Sequence, residues 1–82
     1  MKTVYVKIKD KKHAEKVIKR LVRIGYREYI SFFPIPRSHV KTIAVYSDGD
    51  YQLLSREDSN AIKPKDIINS EPVKYFMEHN HV

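Results

Sequence analysis

The sequence predicts an α+β domain in the order β-α-β-β-β-α, one long amphipathic helix packed on a small mixed sheet with short helices at the C-terminal end. Three observations predict it. Residues Asp10 to Tyr26 (DKKHAEKVIKRLVRIGY) carry apolar side chains at helical spacing, and Thr3 to Lys9 alternates with the period of a strand. Asp48-Gly49 then separates two alternating apolar runs, the strongest short-range hairpin signal. With 82 residues the chain reads as a single domain, 1–82, with one modest core.

In the first strand Val4, Val6 and Ile8 take one side and Thr3, Tyr5, Lys7 and Lys9 the other, the pattern of a half-buried strand. In the helix, Ala14, Val17, Ile18, Leu21, Val22 and Ile24 form the apolar arc. Asp10 suits the N-cap, where its carboxylate accepts free N–H groups, and Gly25 suits the left-handed residue past the last turn. The chain returns through Tyr26 to Phe33, with Ile30 and Phe32 facing one way and Tyr29, Ser31 and Phe33 the other; a crossover of this length makes the first two strands run parallel. Pro34 and Pro36 end the pairing because neither can donate to a ladder.

A two-residue turn at Asp48-Gly49 would set Tyr46 opposite Tyr51, Ala44 opposite Leu53 and Thr42 opposite Ser55. Farther on, Pro64 fits a first helical position, so Lys65 to Asn69 reads as a short helix with Ile67 and Ile68 inward. Pro72 sits near another start, and Val73, Tyr75, Phe76 and Met77 read as helix, with strand as the alternative.

The helix concentrates charge. Between Lys11 and Arg23 there are six Lys/Arg against Glu15 alone, which is +5 of the chain's net +6. Lys12, Lys16, Lys19, Arg20 and Arg23 share the face opposite the core, where like charges three and four apart repel. One reading is a ridge that meets something anionic: nucleic-acid phosphate, an acidic protein surface or a nucleotide. The other is a solvated face written in lysine. Residues 28–82 hold six Lys/Arg against eight Asp/Glu, so basicity is confined to one side and forms no enclosing groove.

The second candidate surface is aromatic. If the valines and isoleucines of the strands face the helix, Tyr5, Tyr29, Phe33 and the Tyr46/Tyr51 pair emerge on the opposite sheet face, a protein-contact patch or a platform for unpaired bases. The alternative is that Ile67, Ile68, Tyr75, Phe76 and Met77 fold back over that face as a second core layer.

Nothing in the sequence assembles catalysis. There is no cysteine, and the two glycines, Gly25 and Gly49, leave no phosphate-binding loop. The four histidines, His13, His39, His79 and His81, include no pair at i, i+4 spacing, so no metal or other cofactor is expected. Glu57 and Asp58 are adjacent in a polar turn, and no serine has an activating partner. No apolar run reaches the roughly 18 residues of a membrane span, and no signal-peptide core precedes the first strand, which predicts a cytoplasmic protein.

The order TVYVKIKD, AEKVIKRLVRIGY, IAVYSDGDYQLLS and KPKDII resembles small accessory proteins of T-even type tailed bacteriophages, through Ala14, Val17, Leu21, Gly25, Tyr26, Asp48, Gly49, Tyr51 and Ile67-Ile68. The resemblance spans most of the chain and implies a protein made in the host cytoplasm that binds and redirects a host or phage factor, as an inhibitor or regulator in host takeover, lysis control or counter-defence. It brings no defined site. Two functions therefore stand: a non-enzymatic protein-binding accessory factor, alone or as a homodimer, and a nucleic-acid-binding module in which the helix cations contact phosphates.

Overall fold

The computed structural model describes residues 3–29 and 35–80. It shows an α+β fold with a four-stranded mixed sheet and two helices: β1 (Thr3–Lys7), α1 (Lys11–Arg23), β2 (Arg27–Glu28), β3 (Thr42–Tyr46), β4 (Asp50–Leu54) and α2 (Glu71–Asn80). Short 3₁₀ turns occupy Arg37–His39 and Pro64–Asp66.

At the start of α1, the Asp10 carboxylate accepts from the His13 N–H at 2.9 Å, and His13 Nδ1 accepts in return from the Lys9 N–H at 2.9 Å. This reciprocal pair satisfies one free donor of the first turn and the N–H just before the cap. At the other end Gly25 takes φ +105, and the N–H groups of Gly25 and Tyr26 bond back to the carbonyls of Val22 and Leu21, a Schellman closure. Ala14, Val17, Ile18 and Leu21 are buried. Val22, expected on the same arc, is 54% exposed. One residue past Leu21, it is rotated about 100° from it, out of the contact.

The strands lie in the order β1-β3-β4-β2. β1 pairs antiparallel with β3, β3 antiparallel with β4, and β4 parallel with β2. The first two strands therefore run in the same direction, as expected, but two strands are inserted between them. The outer edge of β1 is capped by Ile62, whose N–H donates to the Tyr5 carbonyl at 2.8 Å and whose carbonyl accepts from Lys7 at 3.0 Å. Such a cover removes part of a free edge that would otherwise pair with another chain. The expected return strand to Phe33 is described as far as Tyr29; Phe33, like the rest of 30–34, lies outside the described residues.

The hairpin departs from expectation by one residue. Val45 pairs with Tyr51, Ala44 with Gln52, Ile43 with Leu53 and Thr42 with Leu54. The turn holds three residues, Ser47 to Gly49: the Gly49 N–H reaches back to the Tyr46 carbonyl, Gly49 has φ +96, and the Asp48 carboxylate accepts from the Asp50 N–H at 3.0 Å. A type I turn closed by a left-handed glycine is the three-residue solution, and a one-residue slip exchanges faces along the whole strand. Tyr51 consequently points into the core, 3% exposed, while Tyr46 faces outward.

Val4, Val6, Ile43, Val45, Tyr51 and Leu53 thus share one sheet face, and α1 packs on it. The C-terminal segment joins the same core and does not form a second layer. Ile67 and Val73 are fully buried in it and Phe76 packs against it. Ile68, Tyr75 and Met77, expected inward, are exposed by 46%, 45% and 45%. Neighbours in so tight a turn cannot both face one core, so Ile67 enters and Ile68 leaves. Ser70, whose carbonyl accepts from the Lys74 N–H at 3.0 Å, starts α2, placing Pro72 in the first turn where its missing N–H costs nothing.

Candidate functional site

Two surfaces lie on opposite sides of the molecule. On the outside of α1, Lys12, Lys16, Lys19 and Arg23 recur at i, i+4, i+7 and i+11, a straight row about 16 Å long pointing away from the core. All four are exposed. Arg20 stands beside the row, about 100° on from Lys19, and its guanidinium donates to the Pro64 carbonyl at 3.4 Å. Among the described residues no carboxylate lies within ion-pair distance of these five cations; the described ion pair joins Arg37 to Glu28 at 3.8 Å, beside Tyr51.

The other surface is the outer sheet face. Register sets Tyr5 beside Ala44 and Ala44 beside Gln52, with Tyr46 one step along β3. Tyr29 follows β2 at the sheet's edge, its N–H donating to the Tyr51 carbonyl at 2.7 Å, and is 53% exposed. The buried residues of both described helices join the core on the other face, although Thr42 and Ala44 at the centre of this one are buried too. Tyr5, Tyr29 and Tyr46 therefore share this face, whereas Tyr51 is withdrawn by the hairpin register and Phe33 lies outside the described residues.

The tyrosines differ in setting. Partial burial pushes the Tyr46 phenol above its ordinary value, with Tyr5, Asp48 and Tyr29 adding to the effect and Arg56 opposing it. Its hydroxyl donates to Gln52 Oε1 at 2.8 Å. Tyr51 is pushed up chiefly by burial and also by Glu28. The neutral phenol is favoured in each case, so neither is disposed to act as a base at neutral pH.

Sequence reasoning missed the residues at the rim of this face. Tyr29, Tyr46, Asp48, Asp50 and Gln52 line a hollow of about 380 Å³. In the sequence Asp48 reads as a turn residue alone, and Asp50 and Gln52 fall on the outer face only in the observed register. A second, larger hollow of about 540 Å³ at the opposite end of the sheet is lined by Lys7, Lys41, Thr42, Glu57, Asp58 and Ser59 among others, with both signs of charge. There the Asp58 carboxylate accepts from the Asn60 N–H at 2.8 Å, holding a turn.

Among the described residues no three His, Asp or Glu side chains gather as metal ligands. His13 Nδ1 is engaged in the helix cap and His79 Nδ1 contacts the Tyr75 carbonyl at 2.9 Å. No described helix is long and apolar enough to cross a membrane. No family model matches the chain, and neither the curated proteins nor the solved structures compared with it contain a match.

Proposed function

We propose that the chain is a non-enzymatic protein-binding accessory factor of the tailed-phage type, acting in the host cytoplasm, and that it meets its partner through the face carrying Tyr5, Tyr29 and Tyr46. The observation that supports this most is that three tyrosines share the sheet face opposite the core that both described helices join. Tyr29 is exposed and Tyr5 and Tyr46 are half-buried, and aromatic side chains so placed supply contact area at little entropic cost. Base stacking by the same face is disfavoured by the charge map: the hollow beside the tyrosines is edged by Asp48 and Asp50, and the cations of α1 point the opposite way.

The second reading, nucleic-acid binding by α1, is favoured by Lys12, Lys16, Lys19 and Arg23 lacking carboxylate partners among the described residues. Such a row supports weak, salt-sensitive binding without base recognition.

One experiment separates the two. Capture from bacterial lysate is compared for the wild type, Y29S/Y46S, and K16E/K19E/R20E, alongside a fluorescence titration with duplex and single-stranded DNA at two salt concentrations. The primary reading expects the tyrosine variant to lose a specific captured protein that the charge-reversal variant keeps. Tight DNA binding whose salt slope falls in K16E/K19E/R20E would instead establish the second.

A further inference from the structure

The hollow between Tyr29, Tyr46 and the hairpin turn has a chemistry of its own. It joins two aromatic rings to the carboxylates of Asp48 and Asp50 and the amide of Gln52 within about 380 Å³, inside the range of about 300–1,000 Å³ typical of ligand pockets. Tyr46 spends its hydroxyl proton on Gln52 Oε1, so its oxygen offers lone pairs to an incoming donor. One Asp48 oxygen accepts from the Asp50 N–H, which holds that carboxylate at the rim.

The chain carries 16 Lys/Arg, yet among the described residues no cation comes within ion-pair distance of either aspartate. Arg27, the register neighbour of Asp50 on β2, forms no ion pair with it. Aromatic faces and unpaired carboxylates attract the same kind of group, a cation with an extended donor set. A phosphate or a carboxylate would meet repulsion here.

We propose that this hollow receives an arginine side chain of the partner protein. The guanidinium stacks on Tyr29 or Tyr46 and donates to Asp50 and the other oxygen of Asp48. Arginine fits better than lysine because its flat, delocalised head can stack and make a two-pronged hydrogen bond together, while an ammonium is a compact, strongly hydrated charge. The proposal rests on the protein-contact reading of the tyrosine face and names the chemistry of the partner.

The test is selection of peptides from a random library on the immobilised full chain, run in parallel on wild type, D48N/D50N, Y29S/Y46S and K16E/K19E. Asparagine at 48 keeps an acceptor for the Asp50 N–H, so the turn is preserved, and circular dichroism checks each variant. The expected result is arginine enrichment on wild type and on K16E/K19E, abolished on D48N/D50N. A selected peptide should then lose about tenfold or more in affinity when its arginine becomes citrulline, the loss of one charge-assisted contact. Peptides that need Tyr29 and Tyr46 but show no arginine preference would overturn this inference and leave the protein-contact reading standing. If no selected peptide depends on Tyr29 or Tyr46, both fail. Reversible self-association of the protein alone, abolished equally by D50N and R23E, would make a second copy the occupant and overturn the assignment to a separate partner.

Discussion

The Tyr26 hydroxyl donates to the Tyr46 carbonyl at 2.7 Å, tying the residue just past α1 to the last residue of β3. The same hydroxyl lies 3.4 Å from the Pro72 carbonyl in the first turn of α2, and the Tyr26 ring meets Phe76 edge-on at 4.7 Å. One side chain thus joins the helix end, the hairpin and the C-terminal helix. Since Tyr46 also forms a wall of the proposed arginine hollow, this joint sets the position of the site.

Replacing Tyr26 with Phe keeps the ring and removes the donor. The half-buried Tyr46 carbonyl loses its short hydrogen bond, a cost of about 0.5–1.5 kcal/mol. Urea unfolding measures it; an unchanged midpoint would show that the bond does not hold the joint together.

Alkaline pH acts on the same residue. Burial pushes the Tyr26 phenol far above its ordinary value of 10.0, with the Asp48 charge contributing, and Tyr46 and Tyr51 are raised as well. The folded chain therefore holds these protons more tightly than the unfolded chain. Their contribution to stability is complete below pH 10 and is lost as pH climbs from there through the raised values. Urea midpoints should fall as pH rises above about 10, and fall less steeply in Tyr26→Phe. Parallel declines in the two proteins would assign the effect elsewhere.

The two glycines should respond unequally to alanine. Both have positive φ, which costs an L-residue roughly 1–2 kcal/mol. A Cβ on Gly25 would come no nearer than 3.4 Å to the Phe76 ring, an ordinary contact, whereas one on Gly49 would stand 2.6 Å from Phe76 Cε1. Gly49→Ala should lower the melting temperature more than Gly25→Ala, and the difference should shrink when Phe76 is also changed to Leu. Equal losses would mean that α2 does not press on the hairpin turn.

Ile67 and Ile68 offer a sharper contrast, because one is fully buried and its neighbour is 46% exposed. Ile67→Ala should cost about 2–5 kcal/mol and Ile68→Ala under about 0.5 kcal/mol by denaturant unfolding. A comparable loss at Ile68 would indicate that it is covered in solution.

On the ridge, Lys16→Glu should stabilise. It replaces repulsion with attraction to Lys12 and Arg20 at four-residue spacing and to Lys19 at three, each pair contributing about 0.2–0.5 kcal/mol. The gain should shrink in high salt, and a salt-independent gain would point to helix propensity instead.

Much of this fold was legible before any coordinates. The helix ends were, because Asp10 and Gly25 act through bonds made within their own turn. So was the helix core face, apart from Val22. The hairpin was legible in place but not in register: Asp48-Gly49 suits both a two-residue turn and the observed three-residue turn, and these differ by one step that sends Tyr51 inward. The acidic rim of the hollow was hidden for the same reason, since Asp50 and Gln52 change sides with that step.

Local interactions wrote the cap, the glycine stop, the alternation of β1 and the one-sided charge of α1 into the order of residues, and reading that order recovers them. The strand order β1-β3-β4-β2 and the docking of α2 beside α1 came from elsewhere. They depend on contacts between segments far apart in the chain, made wherever Ile67, Val73 and Phe76 could bury the most apolar surface, and no local pattern states where that is.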